Sequence, residues 1–195
     1  MSRIRPADKN EGGLLLRYLN RKARRGFGKE PLPQRVLARN PRFVPAYFFM
    51  SRRFLGGKTE LDPAIRQLAL QVVSTHNGCS WCSDFGAAKA SRLGVDADKL
   101  ESVLDYQTSP AYSERERAAL AFAWELALNK GRVGDAVFAQ LRENYSEREV
   151  VELTAALAAE TFFNHFNNAL GITSQGFSKR VGVPQESASP AEGPS

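Results

Sequence analysis

The stretch Asn77-Gly78-Cys79-Ser80-Trp81-Cys82 holds the chain's two cysteines, and their spacing suits them to sulfur redox chemistry. In a C-x-x-C that opens a helix, both sulfurs lie within the first turn, close enough to form a small disulfide ring. Unpaired N–H groups and the positive end of the helix dipole there favour thiolate over thiol. Gly78 lets the chain turn sharply just before the pair. One sulfur can then attack a peroxide or disulfide while the other resolves the product. The expectation is one sulfur ionised and exposed, with its neighbour in bonding range. Three other readings fit the same residues: two small buried apolar side chains, an inactive remnant of a redox site, or half of a zinc site. Zinc would require the chain's two histidines, His76 and His165, to converge on the cysteines.

The elements that must position this pair read as helices. Leu14, Leu15, Tyr18 and Leu19 recur at helical spacing beside a surface of Arg17, Arg21, Lys22, Arg24 and Arg25. Gly26 and Gly28 stop that helix, and Pro31 and Pro33 mark a connector. After Asn40-Pro41 an aromatic helix runs through Phe43, Tyr47, Phe48 and Phe54 to Gly56-Gly57. Asp62 as N-cap and Pro63 at the first helical position open the next one, whose Ile65, Leu68, Ala69, Val72, Val73 and His76 predict a single buried face. Asn77-Gly78 breaks it, and the cysteine helix runs on to Leu93 with Gly94 as its stop. Capping boxes at Ser113/Glu116 and Ser146/Glu149 open two long amphipathic helices. A short helix with Val137, Phe138 and Leu141 lies between them, and the last helix ends near Leu170. No strand alternation occurs, so the fold class is all-α. Beyond Val183 the Pro, Ser, Ala, Glu and Gly composition predicts a disordered end.

Composition sets the class. A chain of 195 residues with 43% hydrophobic and 25% charged residues can bury a substantial core. No segment approaches about 18 uninterrupted apolar residues, and Met1 to Asn10 are polar, so neither a membrane span nor a secretory signal is visible. The expected location is the cytoplasm, where two cysteines are a redox or metal pair rather than a structural staple. Residues 1–58 hold 15 Lys/Arg against 3 Asp/Glu, and residues 59–195 hold 12 against 18. Opposite charge can draw these two regions together, within a subunit or between subunits. A nucleic-acid or anionic-lipid patch is the competing reading, with affinity falling steeply in salt. The apolar stripe within the basic segment favours packing, so neither a nucleic-acid nor a membrane partner is expected.

The run from Ile65 to Leu70, followed by Asn77-Gly78-Cys79-Ser80-Trp81-Cys82-Ser83-Asp84-Phe85-Gly86, resembles the carboxymuconolactone decarboxylase family on its alkylhydroperoxidase (AhpD-like) side. Asn40-Pro41-Arg42-Phe43 before the core, Ser113 to Leu120 after it, and Asn164-His165-Phe166-Asn167-Asn168-Ala169-Leu170-Gly171 at its close agree with this. The likeness spans roughly residues 25–171. It implies an AhpD-like helical bundle with the C-x-x-C at the N-terminus of a central helix, usually oligomeric. It also implies that Cys82 is the attacking thiol and Cys79 its resolving partner. Lactone decarboxylases of the family generally lack the pair, which argues against that activity.

Two positions depart from the family pattern. Its peroxidases place a glutamate twelve residues before the first cysteine and a histidine four after the second, as a proton relay. Those positions here are Gln67 and Gly86, which cannot exchange protons near neutral pH. His76, three residues before Cys79, is the substitute base taken into the catalytic set, although a core histidine fits its place on the apolar stripe. Asp84 is a weaker candidate because a carboxylate raises a neighbouring thiol's pKa. Glu160 and Asn164, one turn apart, read mainly as helix-face polarity, and Trp81 as packing.

The resulting expectation is a thiol-dependent peroxidase or disulfide oxidoreductase with Cys82, Cys79 and His76 as catalytic residues. It acts on a hydroperoxide or disulfide, is recycled by an external dithiol, needs no cofactor or metal, and forms a homo-oligomer. The rival is a non-catalytic helical scaffold or partner-binding protein that has lost the relay. The expected organisation is a basic N-terminal helical region (1–58) on an AhpD-like core (59–171), with a C-terminal tail (172–195).

Overall fold

The computed structural model describes residues 2–8 and 11–178; the end beyond Val183 lies outside them. Every regular element among the described residues is helical. The helix α4 (Pro63–His76) forms the axis, with α5 (Ser80–Arg92), α7 (Glu114–Leu128) and α9 (Glu147–Ala169) packed around it. α1 (Gly13–Phe27), α2 (Leu32–Leu37) and α3 (Phe43–Arg53) precede this bundle, and α6 (Ala97–Glu101) and α8 (Asp135–Asn144) bridge its longer members.

The helix ends follow local chemistry. Asp62 accepts a hydrogen bond from Ala64 N at 2.7 Å, and Pro63 takes the first helical position. Both expected capping boxes close: Glu116 and Glu149 reach back to the N–H groups of Ser113 and Ser146 at 2.8 and 2.9 Å. The connector expected at Pro31 and Pro33 is instead α2. Pro33 falls in the helix's first turn, where its missing N–H leaves no bond unmade, so it begins a helix rather than breaking one.

α4 corrects a second expectation. Its residues 65–74 are buried without interruption, including Arg66, Gln67, Gln71 and Ser74. A helix surrounded on all sides has no solvent face, and its polar side chains must find partners inside.

Among the described residues, the basic N-terminal region makes no ion pair with the rest. Its ion pairs among them are internal, such as Arg39–Glu11 at 2.8 Å and Arg24–Glu30, and the remaining pairs lie within residues 59–178. Contact combines apolar packing with hydrogen bonds: Leu16, Leu37, Ala38 and Val44 form a cluster on which Phe166 of α9 packs, and Leu32 N donates to Gln175 across the same boundary. Full burial of a Leu or Val side chain contributes about 1.5–3 kcal/mol, more than the roughly 0–1 kcal/mol of an exposed ion pair. No described helix is long and apolar enough to cross a membrane.

Candidate active site

The turn between α4 and α5 sets the cysteines in place. Gly78 adopts φ +64°, a left-handed conformation that glycine takes without steric cost. Asn77 anchors the turn to α9, donating to Asn164 Oδ1 at 3.0 Å, while Asn168 donates to the Asn77 carbonyl at 2.7 Å. Cys79 is the N-cap of α5, and its sulfur accepts from Cys82 N at 3.3 Å. The two cysteines are joined as a disulfide.

Neither sulfur lies open to solvent. Cys79 is fully buried among Val36, Ile172 and Phe166, and Cys82 is 5% exposed. The exposed thiolate expected from the sequence is therefore corrected: tertiary cover from α2, α9 and residues 172–177 encloses the helix start. Access runs through a cavity of about 550 Å³ between the α1–α3 region and the core, and Cys82, not Cys79, lines it. This volume is in the range of small-molecule sites.

α9 turns one face toward this site, at helical spacing: Glu160, Phe163, Asn164 and Asn167. Asn167 is completely buried. Its Nδ2 points at both sulfurs, 3.3 Å from Cys82 Sγ and 3.7 Å from Cys79 Sγ. Glu160 Oε1 accepts from Ser74 Oγ at 2.7 Å and Asn164 Nδ2 at 2.9 Å. Burial pushes the Glu160 carboxyl above the ordinary carboxylate range, opposed by these bonds and by Lys89. Glu160 and Asn164 are thus parts of an interior network rather than helix-face polarity. Beside them Tyr47 is pushed up to about 12 by burial, so its hydroxyl stays protonated.

Of the three residues expected to be catalytic, the fold joins Cys79 and Cys82 and sets His76 apart. Its ring packs edge-on against Trp124 at 5.1 Å, and Nδ1 lies 3.4 Å from Asn77 Oδ1. It is not among the residues lining the cavity. His165 is exposed, and among the described residues no three His, Cys, Asp or Glu side chains come together as metal ligands.

Asp84 is turned away from the sulfurs as well. Its carboxylate accepts from Ser174 Oγ, Gln175 N and Phe177 N on one oxygen and from Ser178 N and Oγ on the other, at 2.7–3.0 Å. Burial alone would raise its pKa, but these donors outweigh burial and hold it below the ordinary value. Asp84 thereby straps residues 174–178 onto α5. Gln175 extends the strap, accepting from Trp81 Nε1 at 2.8 Å and Leu32 N at 2.7 Å through one oxygen. Trp81 stacks on Phe85 at 4.9 Å and lines the cavity too, so it packs and shapes the site together.

Asp84→Asn is expected to cost about 2–3 kcal/mol at pH 7, since it weakens charge-assisted bonds that water only partly replaces. A carboxylate with a lowered native pKa contributes stability above its unfolded value of about 3.9, lost as pH falls through the native pKa. The gap between wild type and variant in urea unfolding should accordingly close in acid.

The two departures from the relay pattern turn out to be coupled. A Cβ at Gly86 would sit 2.7 Å from Gln71 Oε1 and 3.2 Å from Gln67 Nε2. Two buried glutamines of α4 fill the space that a side chain at 86 would need. Gly86→His is expected to destabilise the protein by about 1–3 kcal/mol through overpacking, read as a lower denaturation midpoint. A variant as stable as wild type would show that the glutamines yield freely.

An all-helical bundle carrying a C-x-x-C at a helix start, beside an internal cavity, defines a recognisable class. Residues 44–125 match the model of the carboxymuconolactone decarboxylase family, and the fold is AhpD-like. A curated relative, the uncharacterised protein YnjA of Escherichia coli K12, is 29% identical over 157 residues, covering 78% of this chain and 84% of YnjA. The AhpD-core, peroxidase-related protein of Ralstonia eutropha JMP134 has a similar structure: TM-score 0.82, 21% identity, 94% of this chain and 98% of that one. The debrominase Bmp8, solved in complex with 2,3,4-tribromopyrrole, superposes with TM-score 0.80 at 23% identity over 91% of this chain and 94% of its own.

Proposed function

We propose that this protein is a thiol-dependent peroxidase or disulfide oxidoreductase that works through Cys82 and Cys79. The observation that carries the reading is a C-x-x-C disulfide at a helix N-terminus of which Cys82 alone lines a small-molecule cavity. In the reduced protein, the Cys82 thiolate attacks the terminal oxygen of a hydroperoxide. The O–O bond breaks, the alkoxide leaves and takes a proton, and Cys82 becomes a sulfenic acid. Cys79 then attacks the Cys82 sulfur, expelling water and restoring the disulfide. An external dithiol returns two electrons by exchange and is itself oxidised to a disulfide.

Glu160 stands in for the missing relay in this proposal. It lines the same cavity as Cys82, and burial holds its carboxyl above the ordinary carboxylate range, which favours its taking up and returning a proton. The polar partners of Glu160 hold the carboxyl in place. A disulfide substrate would be reduced by the same sulfurs, with Cys82 attacking and Cys79 releasing the mixed disulfide. The cytoplasm, where dithiol reductants are available, is the proposed setting.

The test is hydroperoxide consumption by protein reduced beforehand and freed of reductant. One peroxide should be consumed per Cys79/Cys82 pair, and the reaction should continue when a dithiol is supplied. A reduced protein that reacts no faster than free cysteine would overturn the reading. It would favour the second one, a non-catalytic scaffold, to which the glutamine-filled relay position lends support.

We further propose that the protein is a homo-oligomer. The outward face of α9 shows Val151, 67% exposed, and Phe162, 49% exposed, with Ala158 and His165 at helical spacing between and beyond them. A solution mass above that of one 21.6 kDa chain is the expected outcome, and a monomer at micromolar concentration would overturn it.

A further inference from the structure

The cavity beside Cys82 carries an imbalance of charge that sulfur chemistry does not require. Its lining includes the cations Lys22, Arg52, Lys89 and Arg92, with Glu160 as its one carboxylate. None of the four forms an ion pair among the described residues. Lys22, Arg52 and Arg92 are exposed and stand at the mouth. The Arg92 guanidinium lies 3.9 Å from the centre of the Phe27 ring, which holds it over the opening.

Lys89 is the inner member. Its Nζ donates to the Leu55 carbonyl at 3.1 Å, an uncharged acceptor. Burial lowers its pKa, with the Glu160 carboxylate pulling the other way. Glu160 is already engaged by Ser74 and Asn164, and even fully ionised it balances one cation of the four. Between the charges the walls are apolar, with Leu19, Phe48, Leu55, Leu70, Phe85 and Phe163 among them.

A ligand must satisfy both halves of this lining. An apolar body against these walls gains about 25 cal/mol for each Å² removed from water. An anionic head gains from cations whose field the low-dielectric walls concentrate. A neutral molecule of the same shape leaves the cavity's surplus of cations unbalanced, and an ammonium is repelled.

We infer that the cavity binds a small organic anion with an apolar body and that, on the redox reading above, the substrate reduced by Cys82 carries an acidic group. The acid is a carboxylate or a phosphate, since both offer the oxygens that arginine and lysine recognise.

Calorimetric titration of the oxidised protein with octanoate, octyl phosphate, octanol and octylammonium tests this without turnover. At least one of the two anions should bind about tenfold or more tighter than octanol, and octylammonium should bind more weakly still. The stronger anion identifies the acid. Added salt should narrow the gap, because the mouth cations are exposed. The Lys22→Gln, Arg52→Gln double variant should weaken the anion about 3- to 10-fold and leave octanol unchanged. Equal affinity for octanol and both anions, or no binding by either anion, would overturn the inference. Failure here leaves the peroxide reactivity of Cys82 standing. Conversely, an inert Cys82 in a protein that prefers anions removes the redox reading and the substrate assignment but keeps the anion site.

Discussion

Protein carrying Cys82→Ser, reduced and mixed with an organic hydroperoxide, is expected to consume none of it above the uncatalysed background, while Cys79→Ser completes one turnover and stops. A serine hydroxyl is not ionised near neutral pH and is a far weaker nucleophile toward oxygen. Since Cys82 alone of the pair faces the cavity, nothing else is placed to attack. In Cys79→Ser the first step survives, because the attacking sulfur and its cavity are untouched. The resulting sulfenic acid has no partner with which to condense, and a dimedone-type trap should mark Cys82 at near-stoichiometric yield. Stopped-flow kinetics and intact mass decide the matter. Equal rates for wild type and Cys82→Ser would remove the enzyme reading. A Cys79→Ser protein that does not react, beside a reactive Cys82→Ser, would exchange the two roles.

Removing Asn167 is expected to have the next largest effect. Its amide is the only side-chain donor to the sulfurs among the described residues, reaching Cys82 Sγ at 3.3 Å. A hydrogen bond to a charged group contributes about 1.5–3 kcal/mol. If that bond favours the thiolate of Cys82, its loss in Asn167→Ala raises the thiol pKa by about 1–2 units. The alkylation rate of the reduced protein, followed from pH 5 to 10, should move its inflection upward by that amount. Asn167→Asp should move it further, since a carboxylate beside the sulfurs opposes a second negative charge. Peroxide consumption at neutral pH should fall by about 10- to 100-fold in parallel with the lost thiolate fraction. A purely structural Asn167 would lower stability and leave the alkylation pH profile in place. That outcome would assign thiolate stabilisation to the α5 helix start alone.

Asn167 also shows why the site was only half legible in the sequence. It lies 85 residues from Cys82 in a run of asparagines, Asn164, Asn167 and Asn168, that residue type alone does not rank. What could have found it is the apolar spacing of α9: a register that places Leu153, Leu157, Glu160 and Asn164 inward also places Asn167 inward. Asp84 misled for the opposite reason. Its nearness to Cys82 in sequence suggested a base, but five donors from residues 174–178 claim its carboxylate. Those residues carry no periodic signal, because their order comes from polar bonds to a distant helix rather than from their own pattern. His76 ended a stripe expected to be apolar and ended it against Trp124, a contact between helices that spacing along one helix cannot report.

By itself, the sequence determined what depends on neighbours within a turn or two. The helical period, the Asp62-Pro63 start, the two capping boxes, the glycine turn before Cys79 and the C-x-x-C at a helix N-terminus are all of this kind. Each involves groups one to four residues apart, for which backbone geometry leaves few arrangements. Tertiary structure alone decided that α4 is buried on every side, that Gln67 and Gln71 occupy the space at Gly86, and that Cys82 rather than Cys79 faces a cavity roofed by α1 and α3. These outcomes depend on which helices pack together over long sequence separations. Local propensity carries no information about that choice, because burial and hydrogen-bond satisfaction are settled only when the distant partners arrive.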